Sequence, residues 1–247
     1  MSAPSVAPHI DAVRQQLAPT GTLRAGINLS NFLLVTGKAS NGDPVGVAPD
    51  MAAEIARRLG VAVAYVTFPQ PGPLADKVDT DTWDIGLIGA EPQRAEKIAF
   101  TRAYVEIRST YMVPPGSTIQ SIVDVDKPGV RISVTGRSAY GLWLERNIKH
   151  ATLIRTDTID DSFTRFRDDK LDVLAGLEPR LLADVQLMPG ARILDGQFSA
   201  VQQAIGTSKR NPEAAAWLQD FAADVKRSGF VGGLITKHRV KGLTVAR

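Results

Sequence analysis

The chain has 247 residues, 44% of them hydrophobic and 22% charged, which is enough apolar material for one large domain or two ordinary lobes. The 29 lysines and arginines exceed the 26 acidic residues by only three and are scattered along the chain, so we expect no nucleic-acid partner. The absence of cysteine excludes disulfides, thiol catalysis and cysteine-ligated zinc.

Metal binding and membrane insertion are also not expected. His9, His150 and His238 lie far apart and show no metal-ligand spacing, so we expect no metal and no other cofactor. No stretch approaches the roughly 20 apolar residues that cross a bilayer. The first residues lack the pattern of a secretory leader, so a periplasmic location is expected only if a leader has been removed.

The first half of the chain predicts an α/β lobe. Residues 1–19 are expected to form a peripheral arm, either a helix over Ile10–Leu17 or a frayed segment. A strand over Thr22–Ile27 precedes a loop and a hairpin reversal at Asn41-Gly42-Asp43-Pro44. The segments that follow are predicted to alternate in type: a helix from Pro49 to Leu59 ended by Gly60, a strand over 61–68, a helix over 74–78 and a strand over 84–88.

The alternation repeats and predicts a second lobe, so that two α/β lobes with mainly parallel sheets are expected. Its segments are strands over 131–134, 152–155 and 173–175 and helices over 139–147 and 160–168. Two β-rich segments, Thr110–Val113 and Ala200–Ile205, are predicted to join the lobes. Lobe 1 would then comprise residues 20–107 and 206–247, and lobe 2 residues 108–205.

The end of the chain predicts two helices, over 212–226 and 229–238. Apolar residues recur in the first of them at helical spacing. We expect a role in the core for them and not a ligand role, because large apolar side chains are usually buried. These residues are Trp217, Leu218, Phe221 and Val225.

Four segments carry a resemblance to a known family. They are residues 21–27, 46–52, 91–104, and 211–213 with 229–230. Over residues 20–240 the chain resembles the extracellular solute-binding proteins of polar amino acid ABC transporters. The resemblance implies a two-lobed periplasmic-binding-protein-like α/β fold, with two hinge strands joining two Rossmann-like lobes. It further implies a monomer that closes around a small carboxylate ligand, an amino acid or a relative, and delivers it to a transporter permease without chemistry.

The first ligand-binding segment implied by the resemblance surrounds Arg94. In the family, an arginine at this position binds the ligand's α-carboxylate through a bidentate fork. The alternative is a surface arginine paired with Glu91 or Glu96 at helical spacing. Gly89 precedes this segment and is included in the implied site. Glu91 stands where the family commonly has threonine, and it either supplies negative charge to the ligand or pairs with Arg94 and weakens binding.

The second implied segment lies at a helix start in lobe 2. Gly136, Arg137 and Ser138 match a family turn whose free N–H groups attract an anion, although the family usually has glycine in place of Arg137. Ser138 is equally suited to be the helix N-cap. An acid that accepts the ligand's ammonium usually follows the strand ending in glycine. Here Leu177 holds that position, and Glu178, one residue later, would need a bulge or local turn to reach the ligand.

The third implied segment is the loop after the first strand, where Asn28, Asn31 and Phe32 fall at ligand-contacting positions. Ordinary turn chemistry is the alternative for the two asparagines. Two other functions stay open at this point. One is a dehydratase acting on cyclohexadienyl acids, with Glu91 or Glu178 as general acid or base. The other is a detached ligand-sensing lobe.

Overall fold

The computed structural model describes residues 10–247. The chain divides into two compact units: unit 1 contains the residues up to Val105 together with Gln202–Arg247, and unit 2 contains Glu106–Val201. His9 and the first residues of the predicted arm lie outside the described residues. Across the described part of the chain, no helix combines the length and the apolar character that a membrane crossing requires.

The elements are numbered in chain order. The strands are β1 (Thr22–Asn28), β2 (Gly37–Lys38), β3 (Pro44–Val45), β4 (Ala62–Phe68), β5 (Ile85–Gly89), β6 (Ile98–Phe100), β7 (Val105–Val113), β8 (Arg131–Thr135), β9 (Thr152–Thr156), β10 (Val173–Leu177), β11 (Arg192–Ile193), β12 (Ser199–Ser208) and β13 (Thr244–Val245). The helices are α1 (Ile10–Leu17), α2 (Val47–Leu59), α3 (Pro71–Asp76), α4 (Pro92–Ala95), α5 (Ala139–Asn147), α6 (Ile159–Asp168), α7 (Glu178–Asp184), α8 (Pro212–Arg227) and α9 (Phe230–Lys237).

The sheet of unit 1 is built around β1. Strands β4 and β5 flank β1 and both run parallel to it. On the far side of β5, residues 203–206 of β12 pair antiparallel with β5, and β6 pairs antiparallel with β12. The predicted parallel arrangement therefore holds at the centre of this sheet, while the long strand that returns from unit 2 is antiparallel.

Helix α1 packs firmly on unit 1. Its apolar residues Val13 and Leu17 are fully buried, and Nε of Arg14 donates a 2.6 Å hydrogen bond to the carbonyl oxygen of Leu59. The helical alternative for this part of the predicted arm is therefore confirmed, and the frayed alternative is wrong. Helix α2 ends as predicted at Gly60, which adopts the left-handed φ of 68° that glycine tolerates best.

The sheet of unit 2 repeats this plan. Strand β8 lies between β9 and β10 and runs parallel to both. Strand β10 pairs antiparallel with β7, and the short β11 also pairs with β7. Helices α6 and α7 cover the sheet with an apolar cluster, and the members of the cluster include Phe163, Phe166, Leu174 and Leu181.

Helix α8 supplies core residues to unit 1, as its periodicity predicts. Leu218, Phe221 and Val225 are buried. Trp217 is only half-buried and stacks on Phe221, with ring centroids 5.7 Å apart. The core prediction is therefore confirmed for three of these residues, whereas Trp217 covers the edge of the core.

Candidate functional site

The residues of the first and third implied segments meet at one edge of unit 1. Strands β1 and β5 are parallel neighbours, with Ile27 opposite Leu87, so their carboxyl ends lie side by side. The loop after β1 carries Asn28, Asn31 and Phe32, and the segment after β5 carries Glu91 and Arg94. The fold thus brings together six predicted site residues, with Gly89 as the last residue of β5.

Arg94 is buried and folded back on the end of β5. Its exposed fraction is 7%, and its Nη1 donates a 2.7 Å hydrogen bond to the carbonyl oxygen of Gly89. The short helix α4 begins at Pro92, whose fixed φ suits the first helical position, and this turn carries Arg94 back over the strand. Arg94 is therefore not a surface arginine, while its pairing with Glu91 or Glu96 stays a prediction. A buried guanidinium in a fixed orientation presents its planar fork of donors to a carboxylate.

Glu91 is the acidic neighbour of this arginine along the chain. Its exposed fraction is 8%, and it occupies the position before α4 without capping the helix through its side chain. Its backbone carbonyl accepts a 2.9 Å hydrogen bond from the N–H of Ala95. A buried carboxylate and a buried guanidinium, three residues apart, are thus placed after one strand.

The two asparagines of the β1 loop both form local turns. Oδ1 of Asn28 accepts hydrogen bonds from the N–H and the hydroxyl of Ser30, at 3.1 and 2.8 Å. Oδ1 of Asn31 accepts one from the N–H of Leu33 at 3.2 Å. Turn chemistry therefore accounts for these side-chain oxygens. Phe32 is 39% exposed, which is uncommon for a large aromatic residue, and a ligand role for it stays a prediction.

The predicted residues of unit 2 gather at the carboxyl ends of its parallel strands. After β8, the N–H of Gly136 donates to the carbonyl of Thr156 at 2.9 Å, and Arg137 adopts a left-handed φ of 57°. Oγ of Ser138 accepts a 3.0 Å hydrogen bond from the N–H of Gly141, so the N-cap prediction is confirmed. The same hydroxyl donates to the carbonyl of Thr135 at 2.7 Å.

Glu178 lies at the first position of α7, directly after β10 ends at Leu177. The backbone therefore turns at Glu178, where helix α7 begins. Its Oε1 lies 3.4 Å from Nη1 of Arg108, whose Nε donates to Gln197 at 3.0 Å. The negative charge of Glu178 is thus compensated within unit 2, and Leu177 is buried.

An ion-pair network of Arg180, Asp184 and Asp160 in unit 2 was not predicted from the sequence. Arg180 donates to Oδ1 of Asp184 at 2.8 Å and to Oδ1 of Asp160 at 2.7 Å. Burial raises the pKa of the Asp184 carboxyl, against the opposing effect of Arg180. The network ties α7 to the first turn of α6. The pair Arg180–Asp184 has the i, i+4 spacing that can be recognised in a sequence. The pair Arg180–Asp160 depends on how α6 and α7 pack.

Two further features of the described residues bear on the choice of a ligand site. Nowhere in the described part of the chain do three or more histidine, aspartate or glutamate side chains form a group suited to a metal. A cavity of about 330 Å³ lies in unit 1 at the amino ends of the strands, beside the 2.6 Å ion pair of Arg24 and Asp84. It is therefore at the edge opposite to Arg94.

Solved structures that this chain resembles include amino acid-binding proteins. An arginine-binding protein from T. maritima has a TM-score of 0.73 at 22% identity, covering 93% of this chain and 100% of that chain. The solute receptor for L-cysteine of Neisseria gonorrhoeae has a TM-score of 0.74 at 18% identity, covering 96% and 99%. The ancestral amino acid-binding protein AncCDT-1, a precursor of cyclohexadienyl dehydratase, has a TM-score of 0.72 at 22% identity, covering 94% and 99%.

These identities show the fold, which is the two-lobed α/β architecture of periplasmic binding proteins. No protein of curated function matches the sequence. The model of the bacterial extracellular solute-binding proteins, family 3, matches residues 27–240, which is most of the chain. The chain therefore belongs to family 3 of the bacterial extracellular solute-binding proteins.

Proposed function

We propose that this chain is the solute-binding component of an ABC importer, that it closes two lobes around a small carboxylate-bearing solute, an amino acid or a close relative, and that it carries out no chemistry. In this proposal lobe 1 comprises residues 20–107 and 206–247, lobe 2 comprises residues 108–205, and β7 and β12 act as the hinge strands. The protein works as a monomer outside the cytoplasm and passes its ligand to a membrane permease.

The observation that carries the proposal is the placement of Arg94. In open α/β sheets, ligands bind outside the carboxyl ends of the parallel strands, and Arg94 lies there in unit 1. Its hydrogen bond to Gly89 fixes the guanidinium before any ligand arrives. A guanidinium that is already fixed loses little conformational entropy when it binds a carboxylate. Replacing the solvent around that carboxylate with hydrogen bonds to the guanidinium is favourable in a poorly hydrated site.

Unit 2 supports the same ligand class. The start of α5, at Ser138, follows β8 at the carboxyl edge of that sheet. The positive end of the helix dipole attracts an anion there. Gly136 and Arg137 precede this helix start, and the Arg137 side chain is exposed, so it adds a positive charge on the solvent side. We propose that a carboxylate held by Arg94 is also contacted from this helix start after closure.

Catalysis is the weaker interpretation of the same residues. AncCDT-1 is itself described as an amino acid-binding protein, so likeness to it does not favour a dehydratase. Of the two candidate acids, Glu178 is paired with Arg108, and Glu91 is buried on the same short segment as Arg94. A ligand-sensing role without transport would use the same ligand-binding residues. It would differ from transport in the protein partner that recognises the ligand-bound form.

The proposal predicts that Arg94→Ala abolishes ligand binding while the protein stays folded. Loss of a buried bidentate clamp costs about 2–5 kcal/mol, and Arg94→Lys should bind nearly as weakly because an ammonium cannot form the planar fork. The measurement is calorimetry with the twenty L-amino acids and their des-amino carboxylic acids. Arg102→Ala is the matched control, since Arg102 is an exposed arginine close by in the sequence.

Closure provides an independent readout of the same prediction. A ligand that binds the parent protein should reduce its radius of gyration in small-angle scattering, because the two lobes come together around it. The Arg94→Ala variant should show no such change at the same ligand concentration. Unchanged affinity in Arg94→Ala, or a loss as large in Arg102→Ala, would remove Arg94 from the site and with it the proposed function.

A further inference from the structure

Side-chain hydroxyl groups form a chain across the carboxyl ends of β8 and β9 in unit 2. The hydroxyl of Tyr140 donates a 2.9 Å hydrogen bond to Oγ1 of Thr135. Oγ1 of Thr135 lies 2.8 Å from Oγ of Ser162, which in turn lies 2.6 Å from Oγ1 of Thr156. The first three of these residues are buried. The chain therefore connects the first turn of α5 with the ends of both strands and with α6.

We infer that Tyr140 is a positioning residue for the proposed anion contact at the start of α5, and that its hydroxyl acts by fixing this helix start to Thr135 at the end of β8. The inference rests on the proposed function, because it assumes that a carboxylate is contacted from this helix start. The single proton of the Tyr140 hydroxyl is engaged by Thr135. Tyr140 therefore acts through the helix that carries it and not by donating to the ligand.

The first reason is that the start of α5 is tied twice to Thr135. Oγ of Ser138 donates to the carbonyl oxygen of Thr135, and the Tyr140 hydroxyl donates to the Thr135 side chain. The capping bond that Ser138 accepts from Gly141 lies within the turn, so it does not set the direction of the helix relative to the sheet. Two bonds to the end of β8 restrain both the position and the orientation of the helix start.

The second reason is the direction of donation along the chain. Burial raises the pKa of the Tyr140 hydroxyl, against the opposing effect of its hydrogen bond to Thr135, so this group stays protonated and remains a donor. At the other end, Oγ of Ser162 donates to the carbonyl oxygen of Thr158 at 3.1 Å, and a carbonyl only accepts. Donation in one direction, from the phenol to this carbonyl, satisfies every hydroxyl between them. Loss of the phenol hydroxyl would leave its buried partner without a donor.

The inference is tested with Tyr140→Phe, which keeps the ring and removes the hydroxyl. In calorimetry with the twenty L-amino acids and their des-amino acids, this variant should bind the compound that the parent binds best about fivefold more weakly or worse. Thr135→Val should lose affinity similarly because it removes the acceptor, whereas Thr135→Ser should keep it because the hydroxyl is retained. In the double variant of Tyr140→Phe and Thr135→Val, the loss should not exceed the larger single loss, because both changes break one hydrogen bond.

Ser133→Ala is the matched control. Oγ of Ser133 is buried and donates a 2.8 Å hydrogen bond to the carbonyl oxygen of Ser162, so this variant loses a buried hydrogen bond between β8 and α6 that does not involve α5. Ser133→Ala should lower the free energy of unfolding, as Tyr140→Phe does, and leave the affinity unchanged. Hydrogen exchange without ligand is a second readout. Residues 138–144 should exchange about threefold faster or more in Tyr140→Phe and at the parent rate in Ser133→Ala.

The outcomes separate this inference from the proposed function. Parent affinity or parent exchange rates in Tyr140→Phe would overturn the inference, and the proposed function would stand if Arg94→Ala still abolished binding. An equal loss of affinity in Ser133→Ala would also overturn it, because the effect would then be a general weakening of unit 2. Additive losses in the double variant would show that Tyr140 does not act through Thr135. If no compound of the panel binds the parent, the proposed function fails together with the inference.

Discussion

Arg137 occupies a backbone conformation that favours glycine. Its φ of 57° lies in the left-handed region, where a Cβ approaches the neighbouring carbonyl oxygen and glycine is the residue of lowest cost. The side chain is exposed, so packing does not demand an arginine here. The positive charge in front of α5 is therefore retained against a local conformational cost, which is typical of residues at functional sites.

We expect Arg137→Gly to separate these two effects. The variant should raise the free energy of unfolding by about 0.5–1 kcal/mol, because relief of the left-handed strain exceeds the entropy that glycine loses on folding. It should also weaken ligand binding, since the exposed charge in front of α5 is gone. Chemical denaturation measures the first effect and calorimetry the second. A variant that is less stable than the parent would show that the arginine side chain itself holds the turn.

At the residue scale, local patterns were predictable from sequence and long-range partners were not. Ser138 was predicted as a cap because a capping serine contacts the N–H three residues on, and Gly141 supplies that N–H. The pairing of Glu178 with Arg108 was not predicted. That pair depends on the antiparallel register of β10 and β7, which the sequence alone does not specify.

Two helices of unit 2 begin with a side-chain N-cap at the same edge of the sheet. Oγ of Ser138 accepts a hydrogen bond from Gly141 at the start of α5, and Oγ1 of Thr158 accepts a 3.0 Å hydrogen bond from Asp161 at the start of α6. Both caps satisfy a backbone N–H that has no partner inside its helix. Only α5 is proposed to contact the ligand, so the two caps differ in function while they agree in structure.

This pair of caps allows a controlled experiment on elements. Ser138→Ala and Thr158→Ala should each lower the free energy of unfolding by about 0.5–2 kcal/mol, because each leaves an N–H of the first turn without its cap. Ser138→Ala should in addition weaken ligand binding, whereas Thr158→Ala should leave the affinity unchanged. Denaturation and calorimetry on both variants provide the comparison. Equal affinities in the two variants would restrict Ser138 to capping.

Longer helices and strands were predicted more accurately than short ones. Helix α5 has the predicted limits, because a capping serine precedes a periodic segment. Helix α3 begins three residues before the predicted start at Leu74, because the first turn of a helix accommodates proline. Strands β6, β11 and β13 have two or three residues each, too few for an alternating pattern to be recognised.

Across unit 1, an ionic network joins helices distant in the chain. Glu54 on α2 accepts hydrogen bonds from Arg57 and Arg58, and Arg58 also donates to Asp224 on α8 at 2.8 Å. The hydrogen bond from Arg57, opposed by burial, is the main reason that the pKa of Glu54 falls from its usual 4.5 to about 2. Stability gained from such a carboxylate is present above its unfolded-state pKa and is lost as pH falls towards the folded one.

The resulting pH dependence has a definite sign. Between about pH 5 and pH 2 the unfolded state takes up a proton at Glu54 that the folded state refuses, so acid should lower the free energy of unfolding in this range. In Glu54→Gln the decrease should be shallower than in the parent. Arg58→Ala should also flatten it, because one of the partners that lowers the pKa is removed. Denaturant titrations at several pH values measure these slopes, and parallel curves for parent and Glu54→Gln would contradict the assignment.

At the scale of the whole molecule, the repeated order of strands and helices predicted the two-lobed α/β fold correctly. The family could also be recognised from four short segments, and the family model confirms that assignment. The direction of the long strands β7 and β12 was not specified by the sequence. Strand β7 runs antiparallel to β10 and strand β12 antiparallel to β5, and an apolar strand has the same alternation in either direction.

Strand β4 has a consequence for the handling of the protein. It ends the sheet on the side of unit 1, beyond β1, and its sequence Ala-Val-Ala-Tyr-Val-Thr-Phe contains no charged residue. An uncharged, β-branched edge strand is a template on which a second chain can pair, whereas lysines on an edge prevent it. Concentrated or partly unfolded preparations should therefore self-associate through this edge. A lysine at Ala64, an exposed position of the strand, is the change that makes the protein easier to concentrate without touching either ligand-binding edge.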